Sequence, residues 1–171
     1  MTAKKKTRKN RRAIKMLVKV LRRLTLEEVE EQMKKLEKTY GMSFDEFEEQ
    51  LLTTGRMEKS VDAYFRWARL VHAYRGYMED GELHCVVEEL RDFSSDELKA
   101  FTPKRFELLC TLSNLRVESI NDLARKLHRD VKNVYQDLKV LRKLRLLKLN
   151  QKRDKKIVPE VLVEEITFVT Q

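Results

Sequence analysis

Glycine and proline are nearly missing from this sequence, four and two among 171 residues. A fold of many short strands needs frequent turn residues, so their scarcity argues against a turn-rich all-β architecture and for helices joined by short connections. Cysteine is as scarce. Cys85 and Cys110 have neither a further Cys nor a spaced His pair nearby, which excludes a zinc signature and a disulfide framework. Cys110 falls in an apolar helical pattern and is expected to be a buried thiol, whereas Cys85, beside His84, is ambiguous.

With three histidines there is little room for a His-based catalytic site. No phosphate-cradling glycine loop, paired-His metal motif or nucleophile elbow occurs. The expectation is a protein that is not an enzyme and takes no metal or cofactor. No apolar run approaches the roughly 20 residues of a membrane span, and the N-terminus has no signal-peptide core. No membrane partner and a cytoplasmic location are therefore expected.

Charge is what the chain has in abundance: 38% of its residues are charged, with a net charge of +9. It is unevenly spread. Residues 1–24 hold 11 basic residues and no acid, residues 25–50 hold three basic and nine acidic, and residues 102–156 hold 16 basic and six acidic. Two basic blocks around an acidic one suggest a polyanion for the former and a different surface, such as a protein contact, for the latter.

Residues 1–13 read as a disordered basic arm carrying Lys4, Lys5, Lys6, Arg8, Lys9, Arg11 and Arg12, an auxiliary nucleic-acid contact. Ile14, Leu17, Val18, Leu21 and Leu24 then follow helical spacing, with Lys15, Lys19, Arg22 and Arg23 opposite, which predicts a basic amphipathic helix. Capping boxes at Thr25/Glu28 and Ser43/Glu46, with Gly41 as a stop, predict a helical hairpin over about 26–52. Beyond Gly55 a helix is predicted over about 57–79, with Met57, Val61, Tyr64, Phe65, Ala68 and Val71 inward. Trp67, Tyr74 and Tyr77 lie off that stripe or at its margin, as core or as a partner interface. "LHCVVEEL", residues 83–90, fits a strand or a helical turn. Residues 14–90 thus read as a helical region for homodimerisation or for binding a protein partner.

Residues 91–171 carry the chemistry. Phe93, Ser94, Glu97 and Leu98 make another helix start, and Thr102–Pro103 opens a helix with Phe106, Leu109, Cys110, Leu112 and Leu115 inward. Ser119 caps the next helix, with Ile120, Leu123, Ala124 and Leu127 apolar. Ala124, His128 and Val134 have helix-turn-helix spacing: a small residue at the crossing, a left-handed turn residue, a β-branched core residue. The turn position is commonly Gly, and His tolerates that backbone better than most. Asp130 caps a third helix, 131–144, with Val131, Val134, Leu138 and Leu141 inward. Opposite them, Lys132, Asn133 and Gln136 are candidate base contacts, and Lys139 a phosphate or guanine contact. Leu147 and Leu149 alternate as a strand would. "QKRDKK", 151–156, makes a basic tip where Lys152, Arg153, Lys155 and Lys156 would meet phosphates, as would Ser119 and Arg129. Pro159 is expected to interrupt the return strand before "VLVEEITFV" extends as a last strand.

The run "FTPKRFELLCTL…SINDLARKLHRDVKNVYQDLKVLRKLRLLKL…KIVPEVLVEEITF" resembles the MarR-like winged helix-turn-helix proteins, and within them antitoxin-like transcriptional regulators of archaea and bacteria. The match covers most of residues 101–168 and is most specific at Arg129 to Leu138. His128 and Arg145 stand where that family tends to have Gly. The resemblance implies DNA as partner, the 131–144 helix in the major groove and the basic wing on the backbone. The expected fold is mainly α with a small β-wing, a helical N-terminal region followed by a winged helix-turn-helix domain. The expected function is sequence-specific transcriptional regulation. The alternative is an antitoxin or adaptor whose winged helix binds a protein.

Overall fold

The computed structural model describes residues 16–54 and 61–169. The basic arm, Ile14, Lys15, Gly55 and Met57 lie outside the described residues. The described residues divide into two units, one comprising those up to Val20 and from Glu89 onward, the other those within Leu21–Glu88.

The expectation of a mainly α fold with a small β-wing is overturned. The described residues form seven helices and five strands in two antiparallel sheets, a mixed α/β fold in which one sheet is three-stranded. The largest difference is at Met16–Arg23, expected as an amphipathic helix and found as strand β1. Along β1, Val18, Val20 and Arg22 alternate as the buried residues. The same apolar residues satisfy a helical stripe and an alternating one, and the β-branched pair Val18 and Val20 suits the pleated surface. Arg22, expected on the basic face opposite the apolar stripe, is 1% exposed and donates two hydrogen bonds to Glu28, at 2.7 and 2.8 Å.

In the Leu21–Glu88 unit, helices α1 (Leu26–Tyr40), α2 (Phe44–Thr54) and α3 (Val61–Asp80) follow. Thr25 and Glu28 complete the expected capping box, and Ser43 and Glu46 bond reciprocally at the start of α2. Gly41 closes α1 at φ 69°, a left-handed backbone that glycine adopts without a steric penalty. Trp67 is the buried centre of an aromatic cluster with Tyr40, Phe44 and Phe47, while Phe65, expected inward, is 63% exposed. Buried Trp67, Leu70, Val71 and Ala73 set the inward stripe of α3. Strand β2, Val86–Phe93, resolves the ambiguous segment in favour of extended structure, and Cys85 just before it is buried. No described helix is long and apolar enough to cross a membrane.

In the other unit come α4 (Ser95–Leu98), α5 (Pro103–Asn114), α6 (Ile120–Lys126) and α7 (Val131–Lys143), then β3 (Leu147–Gln151), β4 (Ile157–Val161) and β5 (Val163–Val169). The three-stranded sheet runs β2-β1-β5, and β3 pairs with β4. Val18 and Val20 join Leu108, Leu123, Val134, Leu138, Leu141 and Leu147 in one core. On α5 the buried residues are Leu108 and Leu109. Cys110, expected buried, is exposed, as are Phe106 and Leu115. The buried stripe is therefore rotated around the helix by about one residue from the expected one.

Pro159 does not interrupt β4. It pairs with Leu149 in a continuous register from Leu147↔Val161 to Gln151↔Ile157. The amide of Lys152 donates to the carbonyl of Lys156 at 2.8 Å. Antiparallel alternation then makes Leu149↔Pro159 a non-hydrogen-bonded pair, so proline's missing donor removes nothing from the ladder.

Candidate nucleic-acid interface

The α6–α7 unit is built by local hydrogen bonds. Ser119 accepts the amide of Asp122 at 3.1 Å and Asp130 accepts that of Asn133 at 3.1 Å, so each helix starts on a side-chain cap. Asp122 is further bound by Lys126, by the Glu118 amide and by Arg125, which together depress its carboxyl to about 2. Ala124, buried on α6, packs in the same core as Val134 of α7.

His128 has φ 51°, the left-handed backbone expected of it. Its amide reaches back to the Arg125 carbonyl at 3.1 Å, and that of Arg129 to Ala124 at 2.9 Å. The same closure recurs at the end of α7, where Arg145 has φ 57°, its amide donates to Arg142 at 2.9 Å and that of Leu146 to Leu141 at 3.1 Å. His128 and Arg145 are thus both left-handed helix stops. A side chain at such a site is strained. His128→Gly is therefore expected to raise stability by about 1 kcal/mol, read as an upward shift of the urea midpoint at unchanged slope; a lowered midpoint would show that the imidazole contributes more than the strain costs.

Among the candidate contacts, Arg129 differs from the rest. It pairs with Asp137 of α7, which also accepts from Arg105 of α5 at 2.8 Å, and Arg105 donates to the Ala100 carbonyl at 2.9 Å. All three side chains are largely buried. Burial alone raises the Asp137 pKa, but the hydrogen bonds from Arg129 and Arg105 outweigh it and hold the carboxyl below its ordinary range. Arg129, expected to reach phosphate, instead ties the turn and α5 to α7.

On α7 the buried residues are Val134, Leu138 and Leu141. At about 100° per residue, Lys132, Gln136, Lys139 and Lys143 lie together on the opposite side, and Asn133 about a quarter-turn away, on the same flank as Asp137. Lys132, Asn133, Gln136 and Lys139 are exposed. Among the described residues, no hydrogen bond or ion pair engages the side chains of Lys132, Asn133 or Gln136, and Lys139 lies over the Tyr135 ring at 4.4 Å. Val131, expected inward, is 42% exposed. It is the first residue of α7, and helical side chains lean toward the preceding turn, which here does not exist.

The β3–β4 tip exposes Lys152, Arg153, Lys155 and Lys156. Lys155 takes φ 62° and Lys156 pairs with Asp154 at 2.9 Å. Between this tip and the starts of α6 and α7 runs an open groove of about 850 Å³, lined among others by Ser119, Asn121, Lys132, Tyr135, Lys155 and Lys156. The structure thus brings Ser119, Lys132, Lys155 and Lys156 together. Asn133, Gln136, Lys152 and Arg153 do not line that groove. Sequence reasoning misses Tyr135 and Asn121, since nothing local announces that they will line a groove with a distant hairpin tip.

A protein-family model described as HVO_A0114 matches residues 100–168, which is less than half of the chain and contains α5, α6, α7, β3, β4 and all but the last residue of β5. No curated protein and no solved structure matches.

Proposed function

We propose that this protein is a sequence-specific double-stranded DNA-binding transcriptional regulator, with α7 entering the major groove and the basic β3–β4 tip lying on the backbone. The observation that carries the reading is the division of labour on α7. Its one acid, Asp137, is consumed internally with Arg129 and Arg105, while Lys132 and Gln136 stand outward with no intramolecular partner among the described residues. Amide and ammonium groups so presented suit adenine and guanine edges in the major groove. Lys152, Arg153, Lys155, Lys156 and Ser119 supply phosphate contacts that fix register without reading sequence, and the arm residues 1–12 add affinity for any DNA. A dimer through residues 21–88, where Leu52, Phe65 and Met78 are exposed, would present two copies of α7 to a palindromic site.

Two measurements on the full chain test this. Selection from random double-stranded DNA is expected to return an enriched motif. Replacing Lys152, Arg153, Lys155 and Lys156 by alanine is expected to weaken binding to all DNA alike and to flatten the salt dependence by about 0.9 for each phosphate no longer neutralised. Binding to a protein but to no DNA, or a salt slope that ignores the tip, would favour an adaptor or antitoxin instead.

A further inference from the structure

The groove beside the first turn of α7 has apolar walls that a site for phosphate alone does not require. Val131, 42% exposed, and Tyr135 one turn later share the flank of α7 that lines it, and Ile120 and Ile157 also contribute. Lys132, Lys155 and Lys156 add cations. The groove's two acids are occupied by their own neighbours. Asp130 accepts the Asn133 amide at 3.1 Å, and Asp154 pairs with the Lys156 ammonium at 2.9 Å and accepts its amide at 3.2 Å. Beside the apolar surface that begins at the first residue of α7, a polyanion therefore meets the ammonium groups of Lys132 and Lys155, which have no ion-pair partner among the described residues.

Residues at the start of a helix laid in the major groove are those that reach base edges, and the apolar group displayed there is the 5-methyl of thymine. Resting on the DNA-reading proposal above, we infer that Val131 packs on the 5-methyl group of a thymine in the recognised site, beside Tyr135, and is a specificity-determining residue. The groove's chemistry gives a use to a valine that is 42% exposed at the first residue of α7. A thymine is then required opposite Val131, while Lys132 and Gln136 read neighbouring pairs.

The test replaces each thymine of the selected duplex singly by uracil, which removes one methyl and leaves the hydrogen-bonding pattern intact, and measures affinity of the full chain by fluorescence anisotropy. One thymine per half-site is expected to lose about fourfold in affinity on demethylation, the effect of exposing one buried methyl. Val131→Ala is expected to bind the thymine and uracil forms at that position equally, and Val131→Ile to retain the discrimination. Uracil tolerated at every position of a strongly selected site, or discrimination unaltered in Val131→Ala, would overturn this inference and leave DNA reading standing. Failure to select any sequence would overturn both. The uracil series needs no variant protein, so a poorly folded variant does not blunt it.

Discussion

Asp137→Ala is expected to destabilise the unit that contains α7 by about 3 kcal/mol and to abolish sequence-selective DNA binding. One carboxylate holds two largely buried guanidiniums, Arg105 from α5 and Arg129 from the turn before α7. Removing the shared partner of buried charges costs more than the pair's net worth, because the charges left behind remain desolvated and here also repel. All three side chains keep some solvent access, 15% for Asp137 and 17% and 21% for the arginines, which places the expected cost at the lower end for such a loss. Denaturant melts followed by circular dichroism would measure it, and a loss below about 1 kcal/mol would mean the cluster behaves as a surface network. The pH dependence follows from the sign of the shift. Because the folded carboxyl is held below its ordinary range, its contribution is fully present above the unfolded value of about 3.9 and is lost as pH falls through the lower folded value. The stability gap between the wild type and Asp137→Asn should stay constant from pH 7 to about 5 and close only in more acid solution.

Glu28→Ala should have a comparable effect on the Leu21–Glu88 unit, about 3 kcal/mol. Glu28 accepts two hydrogen bonds from Arg22, whose side chain is 1% exposed, and its Oε2 also accepts the amide of Thr25 in the capping box at 3.0 Å. The variant loses the cap reciprocity, worth about 1 kcal/mol, and strips a buried guanidinium of its paired carboxylate. Arg22→Met should be milder, since replacing a buried ion by an apolar side chain of similar length avoids the desolvation cost. Equal losses from the two substitutions would show that packing of the Arg22 stem, and not the ion pair, is what matters.

These clusters also show where sequence reading succeeds. Helix starts are legible because a cap is closed within about four residues. Thr25 with Glu28, Ser43 with Glu46, Ser94 with Glu97, Ser119 and Asp130 all make the hydrogen bonds their spacing predicts. Left-handed His128 is legible for the same reason. Strand β1 is not, because its state is set by hydrogen-bonded neighbours β2 and β5, distant in the sequence. Arg22 reads as one more basic residue opposite the apolar stripe until Glu28 is brought against it. The phase of α5 escapes the sequence because both Leu108–Leu109 and Leu109–Cys110 begin an acceptable stripe, and only the surrounding core chooses. At the candidate interface the outward face of α7 is legible from periodicity, with Asn133 displaced toward its edge. The internal role of Arg129 is not, since a basic residue before a recognition helix looks the same whether it meets phosphate or Asp137.

The most direct test of the account is the base preference of Gln136→Ala. Wild type and variant are each subjected to selection on random double-stranded DNA, and their affinities for the wild-type motif and its single-base substitutions are compared. Loss of one bidentate pair should relax discrimination at one position of each half-site by about 1–3 kcal/mol, while the other positions and the salt slope stay as they are. An unaltered preference at every position would contradict the assignment of Gln136 as a base-reading residue of α7.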